Sequence, residues 1–173
     1  MTTADKQLLD TSRFQVVEVE RVLADGTVFR RAVIRHAGAV TIIPFVDDDR
    51  VCLIRNYRMS VDQALIELPA GTIERPEPPI ETAHRELIEE TGFRAGKLEP
   101  LHSFYLSPGI LDERMHLFVA RDLTDGEPAR ELGEEIHNLI VPWQEAIRMI
   151  KRGEIQDAKS IAGLLYYHNF HRS

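Results

Sequence analysis

Three glutamates, Glu86, Glu89 and Glu90, stand where a helix would gather them. The segment 79–91 is rich in helix formers, has proline in its first turn and Gly92 just past its end, the start-and-stop asymmetry of a helix. At about 100° per residue the three carboxylates share an arc of about 100°, beside an apolar face of Ile80, Ala83 and Leu87. Like charges at this spacing destabilise a helix by roughly a few tenths of a kcal/mol per pair, so a cation among them would turn a liability into a site. Hard carboxylate oxygens favour magnesium or manganese over zinc. The competing reading is a solvated acidic face, and the surrounding residues must decide between the two.

Charge sharpens the question. The net charge is -7 and no stripe of Lys and Arg runs along the chain, which opposes nucleic-acid binding. An anionic substrate would then need metal ions or a local arginine to enter. The single cysteine, Cys52, lies in the apolar run Val51-Cys52-Leu53-Ile54, so neither a disulfide nor a cysteine zinc cluster can be built. It reads as a small buried hydrophobe in a reducing compartment. Residues 1–12 are polar and lack a signal pattern, and no stretch approaches the ~20 apolar residues of a membrane span, so a cytoplasmic protein without membrane contact is expected.

The elements that must position the glutamates can be read in order. Two β-favouring segments, 14–23 and 28–36, flank Asp25-Gly26, a strong hairpin signal. Apolar runs at 39–45 and 51–57 flank the polar turn 47–50, and a strand at 64–68 ends at Pro69. The proline-rich piece 75–79 reads as a rigid loop before the acidic helix. Strands follow at 101–105, 115–121 and 139–141, then helices at 143–151 and 159–170. Sheet first, a helix in the middle and helices last predict an α+β fold, an α/β/α sandwich rather than a doubly wound one. The division expected is an N-terminal antiparallel β-hairpin over 1–37 and a main domain over 38–173. Trp143 opens a helix, which suits packing, with base stacking as the alternative.

Spacing around the helix settles the first question. From Gly71 there are five residues to Glu77, then seven to Arg85-Glu86-Leu87-Ile88-Glu89-Glu90-Thr91-Gly92-Phe93. This resembles the box of the Nudix hydrolases at every specified position, and the chance of such a match is on the order of 10⁻⁸ at ordinary residue frequencies. Upstream, Glu67-Leu68-Pro69-Ala70-Gly71 resembles the segment preceding the box in the ADP-ribose pyrophosphatase branch. Downstream, Pro108 in Leu106-Ser107-Pro108-Gly109 stands fifteen residues beyond Phe93, and Asp112-Glu113-Arg114-Met115 is similar to that branch's strand entry.

The resemblance implies a Nudix fold with a mixed sheet and a metal-dependent pyrophosphohydrolase acting on ADP-ribose or a related nucleoside-diphosphate sugar. Other Nudix substrates, such as GDP-mannose or dinucleoside polyphosphates, are the runner-up. A non-catalytic nucleotide sensor is disfavoured by the intact glutamates. By the same resemblance Glu86 and Glu90 are the principal ligands of Mg2+, with Mn2+ possible, assisted by Glu89 and the backbone carbonyl of Ala70. Arg85 would orient the glutamates by bridging to Glu77. Arg58 sits where related enzymes present an arginine to substrate phosphates, and Glu67 and Glu113 are weaker candidates for ribose or metal-linked contacts. The general base is expected from the loop 129–136, with Glu134 first and Glu135 and Glu131 as alternatives. A homodimer is also implied, its N-terminal hairpins exchanged across a twofold axis.

Overall fold

The computed structural model describes residues 5–74, 76–130 and 135–172. The chain opens with β1 (Lys6–Asp10), β2 (Phe14–Val22) and β3 (Val28–His36), which form an antiparallel sheet in that order. Asp25-Gly26 makes the β2–β3 turn as expected, with Gly26 at φ 83° and Leu23 N–H donating to Thr27 O. The expected hairpin is thus two strands of a three-stranded sheet. Every residue of β1 is exposed, so its sequence carries no alternation by which a strand could be recognised. Leu8, Leu9, Phe14, Val22, Val28 and Phe29 are exposed on this sheet, while Val17 is buried. Residues of β3 tie the sheet to the loop after β8: Ile34 N–H donates to Ile110 O, and Asp112 accepts from Arg35 and from His36 N–H.

The remaining chain supplies β4 (Ala39–Pro44), β5 (Arg50–Arg58), β6 (Gln63–Glu67), β7 (Ala70–Thr72), α1 (Pro79–Thr91), β8 (Arg94–Tyr105), β9 (Arg114–Thr124), β10 (Ile136–Pro142), α2 (Trp143–Lys151) and α3 (Ala158–Phe170). These strands form two sheets rather than one. The first, β7-β4-β9-β8, is mixed because β4 and β9 run parallel; the second, β10-β5-β6, is antiparallel. The short β7 was not expected, since Ala-Gly-Thr has no strand pattern; it forms because it pairs with the buried strand β4.

Side-chain alternation explains the layers. Val40 and Ile42 of β4, Cys52 of β5 and Phe118 and Ala120 of β9 pack with Ala83 and Leu87 of α1. Their neighbours Ile43, Val51, Leu53, Leu117 and Val119 pack with Trp143, Ala146 and Met149 of α2 and Leu164 and Tyr167 of α3. Strands covered on both faces need no polar side, which is why 39–45 and 51–57 read as near-continuous apolar runs. The result is the expected α/β/α sandwich. Trp143 is fully buried, its ring 5.2 Å from Phe45 and 5.3 Å from Tyr167, so it packs and does not stack on a ligand. Burial likewise pushes the Cys52 thiol up to about 12. Among the described residues no helix is long and apolar enough to cross a membrane.

Candidate active site

Helix α1 starts with proline in its first turn and ends at Gly92, which adopts φ 82° and returns its N–H to Ile88 O. Leu87 and Ala83 anchor one side in the core, which turns Glu86, Glu89 and Glu90 toward β7 and a surface cleft. Glu90 is 3% exposed and accepts a hydrogen bond from Ala70 N–H at 2.8 Å. The carboxyl group of Glu86 occupies the space beside Gly71 that any side chain there would need. The β6–β7 turn is pinned in turn by Pro69 O, which accepts from Ile42 N–H.

Arg85 binds the acidic residues together. Its Nη1 donates to Glu86 Oε1 at 2.8 Å and to Glu89 Oε2 at 2.9 Å, and its Nη2 lies 3.2 Å from Glu77 Oε2. Burial works against the charge of Arg85, but the hydrogen bond to Glu77 and the charges of the glutamates outweigh it and hold the guanidinium above its ordinary value. The same bond holds the Glu77 carboxyl below the usual carboxylate range. The expected Arg85–Glu77 bridge is therefore present, and it extends to two of the three candidate ligands.

A second charge network stands behind two cations of the cleft. Glu67, at the end of β6, is 1% exposed and accepts from Arg58 Nε at 2.8 Å and Nη2 at 2.7 Å. It also accepts from Lys159 in the first turn of α3. Asp157 caps that helix through Ser160 N–H and lies 2.9 Å from Lys159 Nζ. Burial would raise the Glu67 carboxyl, yet Arg58 and Lys159 prevail and lower it; the fork with Glu67 raises Arg58 correspondingly. A buried carboxylate persists only when so paired.

The cleft encloses about 520 Å³. It brings together Arg58, Ala70, Arg85, Glu86, Glu89, Glu90 and Glu113 from among the residues expected from sequence. Glu113 lies 3.8 Å from His36 Nδ1, which itself accepts from Gly38 N–H at 3.1 Å. Glu67 is not part of the cleft lining: its oxygens are spent on Arg58 and Lys159 rather than turned outward to ribose or metal. Glu135 is exposed just before β10 and does not line the cleft, while Glu131 and Glu134 lie outside the described residues. Sequence reasoning missed Ser12, Arg13, Asp157 and Lys159, which also line it. For Asp157 a signal existed, an N-cap three residues before Ser160 at a helix start; for Arg13 and Lys159 nothing local distinguished them from surface cations.

The donor set fits a hard divalent cation. Three carboxylates project from one helix into a cleft where the missing Cβ of Gly71 leaves room for the Glu86 carboxyl. Among the described residues no three such side chains already converge in ligand geometry, since Arg85 engages Glu86 and Glu89 while Ala70 engages Glu90.

Comparison with known proteins decides the family. The NUDIX domain pattern matches residues 35–164. The chain belongs to the NUDIX family. An ADP-ribose pyrophosphatase of Bacillus subtilis (strain 168) is 32% identical over 167 residues, covering 95% of this chain and 90% of the relative. A methanol dehydrogenase activator of Bacillus methanolicus is 38% identical over 156 residues, covering 89% and 83%. A crystal structure of an ADP compounds hydrolase superposes with a TM-score of 0.82 at 24% identity, over 100% of this chain and 96% of that one, and shares the fold. This Nudix protein is accordingly a hydrolase of phosphoric anhydrides, of a family that generally depends on divalent metal.

Proposed function

We propose that this Nudix hydrolase splits the diphosphate of ADP-ribose, yielding AMP and ribose 5-phosphate. The observation that carries the reading is one cleft holding both the Glu86, Glu89 and Glu90 carboxylates and the cations Arg58 and Lys159. A diphosphate has to meet metal-neutralising and phosphate-holding groups at the same time. The Glu67-to-Gly71 segment, Pro108 and the likeness to an ADP-ribose pyrophosphatase supply the substrate class.

Bound magnesium, with manganese as a substitute, would neutralise phosphate oxygens and make the attacking water more acidic. Glu86 and Glu90 would be its principal ligands, with Glu89 and the Ala70 carbonyl assisting. Arg85 positions those carboxylates. Arg58 and Lys159 would hold phosphate oxygens in place, and Glu113 would contact the ribose or assist in holding the metal. A loop glutamate, Glu134 first and Glu135 or Glu131 after it, takes the proton from water as the oxygen joins phosphorus. The bridging P–O bond breaks, and its electrons leave with the second phosphate.

The assembly we infer is a homodimer. We take the segment 1–37 as a unit added to a Nudix domain over 38–173, and its exposed Leu8, Leu9, Phe14 and Phe29 suit burial against a partner. The lone buried Cys52 suits the reducing cytoplasm.

The test is a panel of ADP-ribose, other nucleotide sugars, dinucleoside polyphosphates and nucleoside triphosphates, with magnesium and with manganese, scored by product chromatography. ADP-ribose should be cleaved best, to AMP and ribose 5-phosphate. Much faster cleavage of triphosphates than of any sugar diphosphate would overturn the assignment.

A further inference from the structure

Helix α1 ends in an electrostatically poor way. Glu89 and Glu90 occupy its last turn, where the backbone carbonyls already present a negative pole, and that turn carries no basic residue. The last four carbonyls of any helix also lack partners within it. Here all four are accounted for. Ile88 O accepts from Gly92 N–H at 2.8 Å, the only one of them satisfied by the turn that follows the helix. Glu89 O accepts from Ala129 N–H at 3.1 Å, and Glu90 O accepts from both Nε and Nη2 of Arg130 at 3.3 Å. Thr91 O accepts from Asn138 Nδ2 at 2.8 Å. Three of the four partners therefore come from residues far along the chain.

We infer that Arg130 and Asn138 are positioning residues for the divalent metal of this enzyme. They grip the carbonyls of Glu90 and Thr91 and so fix the turn from which the Glu89 and Glu90 carboxylates project. Two features argue for a fitted contact rather than a chance one. Gly92 sits so close to the strand-to-loop segment that a Cβ on it would lie 2.4 Å from Gly126 O. Asn138 belongs to β10, whose register with β5 pairs it with Ile54, so the backbone that carries its exposed side chain is held in place by the sheet. Arg130 adds the positive charge that the helix end lacks. Neither residue reaches the cleft, and each acts through the backbone of the helix.

The inference rests on the reading that Glu86 and Glu90 hold the metal, so the experiment keeps the two apart. Mn2+ binding to the full-length protein without substrate is measured by calorimetry for wild type, Asn138→Ala, Arg130→Lys and Glu90→Gln. Thermal unfolding is followed without metal, and kcat and KM with it. Asn138 carries no charge, so its variant isolates positioning from electrostatics. Loss of an outer partner of a metal ligand costs about 10- to 100-fold in affinity, and a partner acting through backbone should cost less, roughly three- to tenfold. Asn138→Ala should therefore weaken Mn2+ binding by that factor and lower kcat more than it raises KM. Arg130→Lys, which keeps the charge but loses the fork, should show a smaller loss of the same kind. Wild-type Mn2+ affinity in both variants, with only the melting temperature lowered, would show a merely structural cap and overturn the inference. Should Asn138→Ala not fold, Asn138→Ser takes its place. If Glu90→Gln also binds Mn2+ as wild type does, the metal-site reading itself fails.

Discussion

The carboxyl group of Glu86 rests on the backbone of Gly71, where an added Cβ would lie 1.9 Å from Glu86 Cδ. Two residues fifteen positions apart in the sequence thus share one volume, and the glycine is explained by its neighbour. Because the clash falls on the far end of a flexible side chain, Gly71→Ala should change stability by less than about 1 kcal/mol. It should nonetheless push the Glu86 carboxyl out of place, and a displacement of this size in a catalytic group costs about 10²-fold in rate. Melting temperature and kcat measured on the same preparation check this; an active, unaltered variant would show that Glu86 has no fixed place in the reaction.

Glu90 is the more deeply held of the candidate ligands, nearly buried and bonded to Ala70 N–H. Glu90→Gln keeps the shape and removes the charge. Turnover should drop by orders of magnitude while the circular dichroism spectrum stays nearly unchanged. Wild-type turnover would remove Glu90 from the metal site.

Glu67 joins Arg58 to Lys159, so Glu67→Gln leaves two cations short of their carboxylate. Breaking a buried ion pair costs about 3–5 kcal/mol, and denaturant unfolding at neutral pH should read a loss of that order. KM should rise as Arg58 and Lys159 lose their fixed positions. The pH dependence has a definite sign. The folded carboxyl lies below its ordinary value of 4.5, so its contribution is present above that value and lost as pH falls through the lower folded one. The stability gap between wild type and variant should accordingly narrow on acidification below 4.5. A gap independent of pH would mean that charge at Glu67 is not what stabilises the network.

The general base is open to direct separation. Glu131, Glu134 and Glu135 are each replaced by Gln, and the largest fall in kcat is expected for Glu134. Three near-normal turnover numbers would exclude this loop from proton transfer.

Sedimentation reads the assembly. A mass twice 19.8 kDa is expected at micromolar concentration, and deletion of 1–37 should produce a monomer with weakened substrate binding. A clean full-length monomer would rule the dimer out.

Sequence alone determined the acidic helix, its limits and the sorting of its carboxylates to one side. Those features are local: proline at the start, glycine past the end, and carboxylates and apolar residues sorted by a 3.6-residue period all lie within Pro79–Gly92. The strands with two covered faces were legible as apolar runs, because burial on both sides demands them. Tertiary structure alone decided the rest. β1 and β7 exist only through pairing with β2 and β4, and neither Lys6–Asp10 nor Ala70–Thr72 carries a pattern of its own. Lys159 enters the cleft because Asp157 caps α3 beside Glu67, ninety-two residues from Lys159. Glu67 looked like a substrate contact, whereas its burial beneath two cations makes it their anchor. Partnerships over such separations depend on how sheets and helices pack, and no short window of sequence contains that information.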